Sequence, residues 1–345
     1  MKTDTSGIDT RQFIRQINAD YALTVTSLTF LPMGEDAYAY ISEGGDGRHF
    51  FVKAQAVGSP TTLETALELT SDLRTRGGLW WVVAPLENQR GRFTFSYLGY
   101  TVAVFPYLEC TRAYEAGLSE EQWIQTAWLL AALHRSRSRL TVPPHWRETF
   151  DNPFRAPILR ALWSAEEAPS SGNSYRDRAR QLLLAERTDV VAALDELERL
   201  TGEARRLDLE SVITHGDPNL ANILIDQRGR LHVIDWGEIA LGPPARDLSF
   251  FTGARFEAFL RHYLAAGGSP RLHPTSFAFY QLRWVLQEIA DYSTRILFQN
   301  TDPLEDEHAW TELTDYLPIR HQHLRANFDE IAQVLGRVRG DTDVS

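Results

Sequence analysis

The sequence predicts an α+β chain: a first third built as a small β-sheet with one helix across it, and a larger, mainly helical remainder. Three observations carry this. Between Tyr21 and Tyr107, short β-branched and aromatic runs alternate with turn formers. After Tyr107, apolar residues recur at helical intervals. One stretch inside the helical part, Val212 to Trp236, returns to short strands and gathers three side chains that carry oxygen ligands.

In chain order, Ile8 to Ala19 reads as an opening helix, and Tyr21 to Leu31 and Tyr38 to Ser42 as strands separated by Pro32-Met-Gly-Glu-Asp36. Gly44-Gly-Asp-Gly47 is a hairpin signal leading into a strand from His49 to Gln55 that contains Lys53. Leu63, Ala66, Leu67 and Leu73 have helical spacing over Thr61 to Arg76, and Gly77-Gly78 ends that helix. Leu79 to Ala84, Arg92 to Tyr97 and Thr101 to Tyr107 read as further strands. Ser119-Glu-Glu-Gln122 is a capping box that opens a helix through His134, and Pro143-Pro144 interrupts the chain. Residues 155–205 read as helical. So do Phe256 to Ala265, Phe277 to Phe298 and Pro318 to Leu335, the last with Pro in its first turn and Gly336 just beyond its end.

Composition excludes several classes. A chain of 345 residues, 43 % hydrophobic and 23 % charged, is long enough for a sizeable core without a metal or disulfide staple. Its single cysteine, Cys110, forms no internal disulfide and suits a reducing, cytoplasmic setting. No apolar run approaches the roughly 20 residues of a membrane span. A formal net charge of −11 argues against nucleic-acid binding and is compatible with a cationic small-molecule partner.

Within VITHGDPNLANILIDQRGRLHVIDW, His215 to Asn219 are turn formers and Gln227 to Arg230 is a hairpin turn. The strand Leu231 to Ile234 delivers Asp235 at its end. Asp217, Asn222 five residues on and Asp235 thirteen further therefore meet at one edge of a small sheet. Asp217 is positioned as a base for an acceptor hydroxyl. Asn222 and Asp235 are hard oxygen ligands of the kind Mg²⁺ takes. His215 reads as a brace for the turn.

The HGDxxxxN and IDW patterns resemble those of aminoglycoside phosphotransferases and related small-molecule kinases. With IDWGE, PPARDLSF, the HWRE run at 145–148 and FYQLRWVLQEIADY at 279–292, the likeness leans to the spectinomycin-type phosphotransferases. It covers nearly the whole chain. It implies a bilobal protein-kinase-like fold, with an N-terminal nucleotide-binding lobe over 1–107 and a helical lobe over 108–345 that carries the catalytic loop, metal site and acceptor region. It implies ATP as phosphoryl donor, with GTP open, together with Mg²⁺. Lys53 would grip the α and β phosphates, and a helix carboxylate would hold it; Glu64 is preferred to Glu68, one turn on. Gly34 in the loop 33–37 would contact phosphate through backbone N–H groups, and backbone groups of Tyr107 and Leu108 would bond adenine. Asp247 would tie the metal loop to a following helix.

The acceptor is expected to be a hydroxyl of a small polar molecule such as an aminocyclitol antibiotic. Glu288 and Asp291, three apart on one helix, are candidates to meet its amine, and Trp284 and Tyr292 to stack on a ring. The alternatives are a metabolic kinase for an amino alcohol, sugar or amino acid, and a catalytically inactive nucleotide-binding protein.

Overall fold

A computed structural model describes residues 7–32, 37–56, 60–167, 172, 174–300 and 302–342. The loop residue Gly34 lies outside them. The chain packs as two compact units. One comprises Met1–Arg147, Val212–Leu241 and His262–Gly268; the other comprises Glu148–Ser211, Gly242–Arg261 and Ser269–Ser345.

The first unit opens with α1 (Thr10–Tyr21), capped by Asp9, whose carboxylate accepts from Gln12 N. An antiparallel sheet follows: β1 (Val25–Leu31), β2 (Ala37–Gly44), β3 (His49–Ala56), β4 (Thr94–Tyr97) and β5 (Tyr100–Pro106) in the order β1-β2-β3-β5-β4. The expected hairpin at 44–47 forms, with Gly47 at φ 80°. A second hairpin turns at Leu98-Gly99, both at positive φ, which matches the right-handed strand twist. Period-two alternation divides β3 between two faces. Phe50, Val52 and Ala54 enter a core with Phe13, Ile17 and Tyr21 of α1, where the Phe13 ring stacks on Tyr97 at 4.8 Å. Lys53 belongs to the opposite face.

Helix α2 (Pro60–Thr75) supplies Ala66, Leu69 and Leu73 to a second core with Leu79, Trp81, Val82, Leu133, Ile213, Val233 and Trp236. The expected strand Leu79 to Ala84 does not form. Leu79 to Val82 closes a turn instead, with Val82 N donating to the Leu79 carbonyl at 3.0 Å, and a single parallel bridge, Val82 to Val233, follows before Pro85, too short for a ladder. The Trp81 carbonyl and Val83 N–H still bond both backbone groups of Val233, at 2.9 and 3.0 Å.

The second unit is helical, including Arg155–Glu167, Ser174–Ala185, Arg187–Ala204, Pro274–Thr294, Pro303–Tyr316 and His321–Thr342. Leu282, Leu286 and Ile289 are buried on Pro274–Thr294, as their spacing predicts. One expectation fails here, and one helix is present that the sequence reading does not contain. The last helix begins at His321, beyond Pro318, and runs through Gly336, because Ile331, Val334, Leu335 and Val338 sustain a buried helical stripe across that glycine. The helix Pro303–Tyr316, capped by Asp302 with Pro at its first position, escapes the sequence reading because little of it is buried. Among the described residues no helix is long and apolar enough to cross a membrane.

Leu73 is fully buried in the second core. Leu73→Ala is expected to cost about 2–5 kcal/mol of stability, through lost transfer energy and a residual cavity. A fall in the urea midpoint, followed by near-ultraviolet circular dichroism, measures it. An unchanged midpoint would show that the site collapses around the smaller side chain.

Candidate active site

The stretch from Val212 forms β-strands Val212–Thr214, Ile223–Asp226 and Leu231–Val233, all in the first unit together with Lys53. The loop between the first two strands is fixed by its own polar groups. His215, fully buried, uses Nε2 toward the Ile234 carbonyl at 2.9 Å, and Nδ1 accepts from Asp217 N at 3.1 Å. That pairing requires the Nε2–H tautomer. Its ring lies 4.5 Å from that of Trp236. His215 is thus the expected brace, joining the Asp217 turn to the segment that presents Asp235.

Asp217 accepts from Asn219 Nδ2 at 2.7 Å on one oxygen and from Asn222 Nδ2 at 2.9 Å on the other. A second bond from Asn222 Nδ2 reaches the Asp217 carbonyl at 2.9 Å. Because a carboxylate only accepts, these contacts fix the Asn222 amide with its nitrogen inward and leave Oδ1 as the group able to meet a cation. The Asn222 carbonyl accepts from Ile234 N at 3.0 Å, which ties it beside Asp235. Burial pushes the Asp217 carboxyl up to about 7, and like charge on Asp235 and Glu238 adds to this, against the Asn219 and Asn222 donors.

Asp235 sits at φ 62°, ψ 62°, a left-handed position that Asp tolerates better than most residues. Lys53 Nζ clasps both its oxygens, at 2.9 and 3.1 Å. The Lys53 charge holds the Asp235 carboxyl below the usual carboxylate range, with Arg112 contributing less. On β3, Lys53 is flanked across the ladder by Ala39 and Ala103, so small side chains surround it on its face of the sheet.

Glu64 departs from expectation. It is only 3 % exposed on α2, and its carboxylate accepts from Arg92 Nε at 2.9 Å, from Phe93 N at 2.8 Å and from the Thr94 hydroxyl. It holds the entry to β4 and makes no bond to Lys53. Burial explains the choice, since a desolvated carboxylate takes the donors of the adjacent turn. Glu68, one turn on, is half-buried. Tyr107 N donates to the His49 carbonyl at 3.3 Å, so that amide is already engaged, while the Leu108 carbonyl accepts from Cys110 Sγ at 3.2 Å.

In the second unit Glu288 is half-buried and Asp291 exposed on Pro274–Thr294. Two residues packed with this helix, Tyr316 and Phe250, were not singled out by the sequence. Tyr316 accepts from Trp284, and its hydroxyl is pushed up to about 12 by burial and by the charges of Glu288, Glu312 and Asp315. Trp284 packs edge-on against Phe250, centroids 5.1 Å apart. Tyr292 is buried against His308 instead of free to stack on a ligand. Glu148, from the HWRE run, accepts from Tyr280 at 3.1 Å and lies 3.6 Å from Arg246. Asp247 is fully buried in the short helix Ala245–Leu248. No spacing rule links positions 250, 284 and 316.

An antiparallel five-stranded sheet with a lysine on its central strand and one packed helix, followed by a loop carrying Asp217, Asn222 and Asp235, is the architecture of a protein-kinase-like phosphotransferase. Residues 27–280 match the APH phosphotransferase enzyme family. The chain is 32 % identical over 309 residues to Protein StrN of Streptomyces griseus, spanning 84 % of this chain and 86 % of that protein. Its fold is similar to a spectinomycin phosphotransferase, APH(9)-Ia, solved with ADP and spectinomycin. That likeness has TM-score 0.75 and 18 % identity and covers 96 % of this chain and 99 % of the other. It is also similar to the choline kinase LicA of Streptococcus pneumoniae, with TM-score 0.51 and 17 % identity over 93 % and 98 % of the two chains. The chain belongs to the APH phosphotransferase family, and it is an enzyme that transfers phosphoryl groups to alcohol acceptors.

The Asp217 carboxyl titrates higher folded than unfolded, so the folded state holds its proton longer as pH rises. The unfolded chain ionises this group near pH 4 and the folded chain near 7. Stability from this residue is therefore present below about pH 4 and lost as pH rises toward 7. In EDTA, Asp217→Asn is expected to raise the thermal midpoint at pH 8 by roughly 2–4 °C, which corresponds to about 1 kcal/mol, and to leave it unchanged at pH 4. Equal effects at both pH values would mean that the carboxyl is not desolvated.

Proposed function

We propose that this enzyme is an ATP-dependent O-phosphotransferase acting on a hydroxyl of a small cationic molecule, with spectinomycin as the first aminocyclitol to test. The observation that carries this reading is Asp217: a desolvated carboxylate, pushed up to about 7, five residues before Asn222 and joined through His215 to the Lys53–Asp235 pair. A base tuned near neutral pH serves proton transfer. A protein that only binds nucleotide has no use for one.

In this reading Asp217 orients the acceptor hydroxyl and takes its proton as the acceptor oxygen bonds to the γ-phosphorus and the bond to the leaving ADP breaks. Lys53 moves from Asp235 to the α and β phosphates, on the sheet face flanked by Ala39 and Ala103. The donor set suits Mg²⁺, which accepts one or two protein oxygens and takes the rest from phosphates and water. Asn222 Oδ1 and Asp235 would hold it. Among the described residues no group of three or more His, Cys, Asp or Glu side chains forms a site of its own, consistent with an ion that arrives with the nucleotide. Bound Mg²⁺ supplies charge neutralisation on the phosphates.

A nucleotide-binding lobe over 1–107, with Gly34 and the Tyr107–Leu108 backbone as its contacts, and an acceptor-binding lobe over 108–345 belong to this proposal, as does a cytoplasmic setting where ATP is plentiful. GTP is the alternative donor. With Glu64 engaged by Arg92 to Thr94, the helix carboxylate that receives Lys53 in the nucleotide complex is assigned to Glu68. On the acceptor side, Glu288 and Asp291 provide negative charge and Trp284 and Tyr316 aromatic faces, a combination that recognises a protonated amine. A small amino alcohol shares that chemistry, and the choline kinase likeness makes a metabolic kinase the second reading.

A substrate panel with purified protein and Mg·ATP separates the two. Turnover of spectinomycin but not of choline, homoserine or sugars selects the first; the reverse selects the second. Asp217→Asn is expected to lower kcat by at least about a thousandfold while Mg·ATP still binds. Unchanged turnover in that variant would remove Asp217 from the mechanism. Glu68→Gln is expected to raise the KM for ATP, whereas Glu64→Gln lowers the melting temperature and leaves that KM unchanged.

A further inference from the structure

Besides Glu64, a second buried carboxylate on α2, Asp72, lies outside the chemistry described so far. It is 5 % exposed. Its Oδ2 accepts two backbone amides, Thr141 N at 2.6 Å and Val142 N at 2.9 Å. The Thr141 hydroxyl reaches Oδ1 at 3.2 Å, and Arg76 Nε, on the next turn, lies 3.4 Å away. A carboxylate spent on two adjacent amides just before Pro143-Pro144 fixes that segment against the helix.

The other face of α2 leads to the site. Ala66, Leu69 and Leu73 share a core with Trp81, Val82, Val233 and Trp236, and the Trp81 and Trp236 rings lie 5.9 Å apart. Trp236 directly follows Asp235, and the short turn Trp236–Glu238 packs on α2. The segment after α2 bonds both backbone groups of Val233, two residues before Asp235. α2 is thereby pinned in its first half by Glu64 and in its second half by Asp72. Between these anchors it forms the wall against which a left-handed Asp235 is set.

We propose that Asp72 is a positioning residue for phosphoryl transfer: by pinning α2 to Thr141 and Val142, it fixes the wall that holds the Asp235 turn in its metal-binding geometry. This rests on the reading of Asp235 as a metal ligand. Asp72 touches no substrate and acts only through the helix. The enzyme then has a permanently seated helix beside its nucleotide site instead of one that swings in when activated.

The test uses the full-length enzyme with Mn²⁺ and a non-hydrolysable ATP analogue, reading metal affinity by electron paramagnetic resonance, together with steady-state kinetics on an accepted substrate. Asp72→Ala is expected to weaken Mn²⁺ affinity and to lower kcat, each by about tenfold or more, while the KM for the acceptor changes by less than about twofold. Asp72→Asn keeps one oxygen for the two amides and is expected to recover most of both losses. Folded Asp72→Ala protein with wild-type metal affinity and kcat overturns the proposal. So does a loss of kcat fully accounted for by a smaller active fraction, since simple destabilisation would do that. If the alanine variant does not fold, Asp72→Asn decides: a two- to threefold weaker Mn²⁺ affinity supports the proposal, and an Asn variant as inactive as misfolded protein, with no metal bound, overturns it. Wild-type protein that binds no Mn²⁺ with the analogue overturns the metal assignment of Asn222 and Asp235 instead, and does so whatever the variants show.

Discussion

The first unit is organised around a carboxylate held where an L-residue rarely sits. Asp235, at φ 62°, is kept there by its neighbours rather than by its own preference. Trp236 buries its ring on one side and donates its indole N–H to the Val233 carbonyl at 3.0 Å. His215 holds the preceding carbonyl, and Lys53 satisfies the carboxylate. The cost of such a backbone, of order 1–3 kcal/mol, is sustained only where the surroundings over-determine it. Here they do, because the Val233 backbone is bonded on both sides and the Trp236 side chain is locked in the core beneath α2.

A second constraint follows from the first. Asp217 and Asp235 are joined through His215, and the charge of Asp235 adds to the burial that raises Asp217. Only one of them has a cationic partner. Lys53 stabilises the charge on Asp235, while Asp217 is left with amide donors and burial. Two carboxylates of the same intrinsic acidity are thereby driven in opposite directions by their environments, the division that acid–base chemistry at neutral pH requires. The desolvation that raises Asp217 is unfavourable to folding at neutral pH, and the bonds of His215, Asn219 and Asn222 offset it locally.

Much of this was legible in the sequence because it is encoded over short distances. The hairpin at 44–47, the strand around Lys53, and the spacing of Asp217, Asn222 and Asp235 all depend on residues within a few positions of one another. The brace role of His215 follows from its place beside the turn. What failed depends on distant partners. Glu64 reads as an ordinary helix carboxylate until Arg92 to Thr94 are brought beside it, about thirty residues on. The segment 79–84 has strand composition, but its partner is Val233, and a single bridge does not make a ladder. Gly336 looks like a helix end because a glycine is judged locally, whereas Val334, Leu335 and Val338 pack on both sides of it.

The acceptor side shows the same limit more strongly. Catalysis of phosphoryl transfer asks every enzyme of this fold for the same few groups at the same spacing, so those groups leave a pattern. Recognition of an acceptor asks only for a surface of suitable shape and charge. In the second unit the surface proposed for that role draws on Phe250, Trp284, Glu288 and Tyr316, supplied by three separate segments. Each residue is unremarkable within its own helix. Tyr316 shows why: its hydroxyl is shifted first by burial, then by Glu288 from one helix and by Glu312 and Asp315 from its own, so its character exists only after the two helices pack. Reaction type therefore resides in a loop that can be read residue by residue, and specificity resides in tertiary packing. A substitution in the helices is free to change the acceptor without disturbing the Asp217 loop, and this separation allows one phosphoryl-transfer core to serve acceptors as different as aminocyclitols and choline.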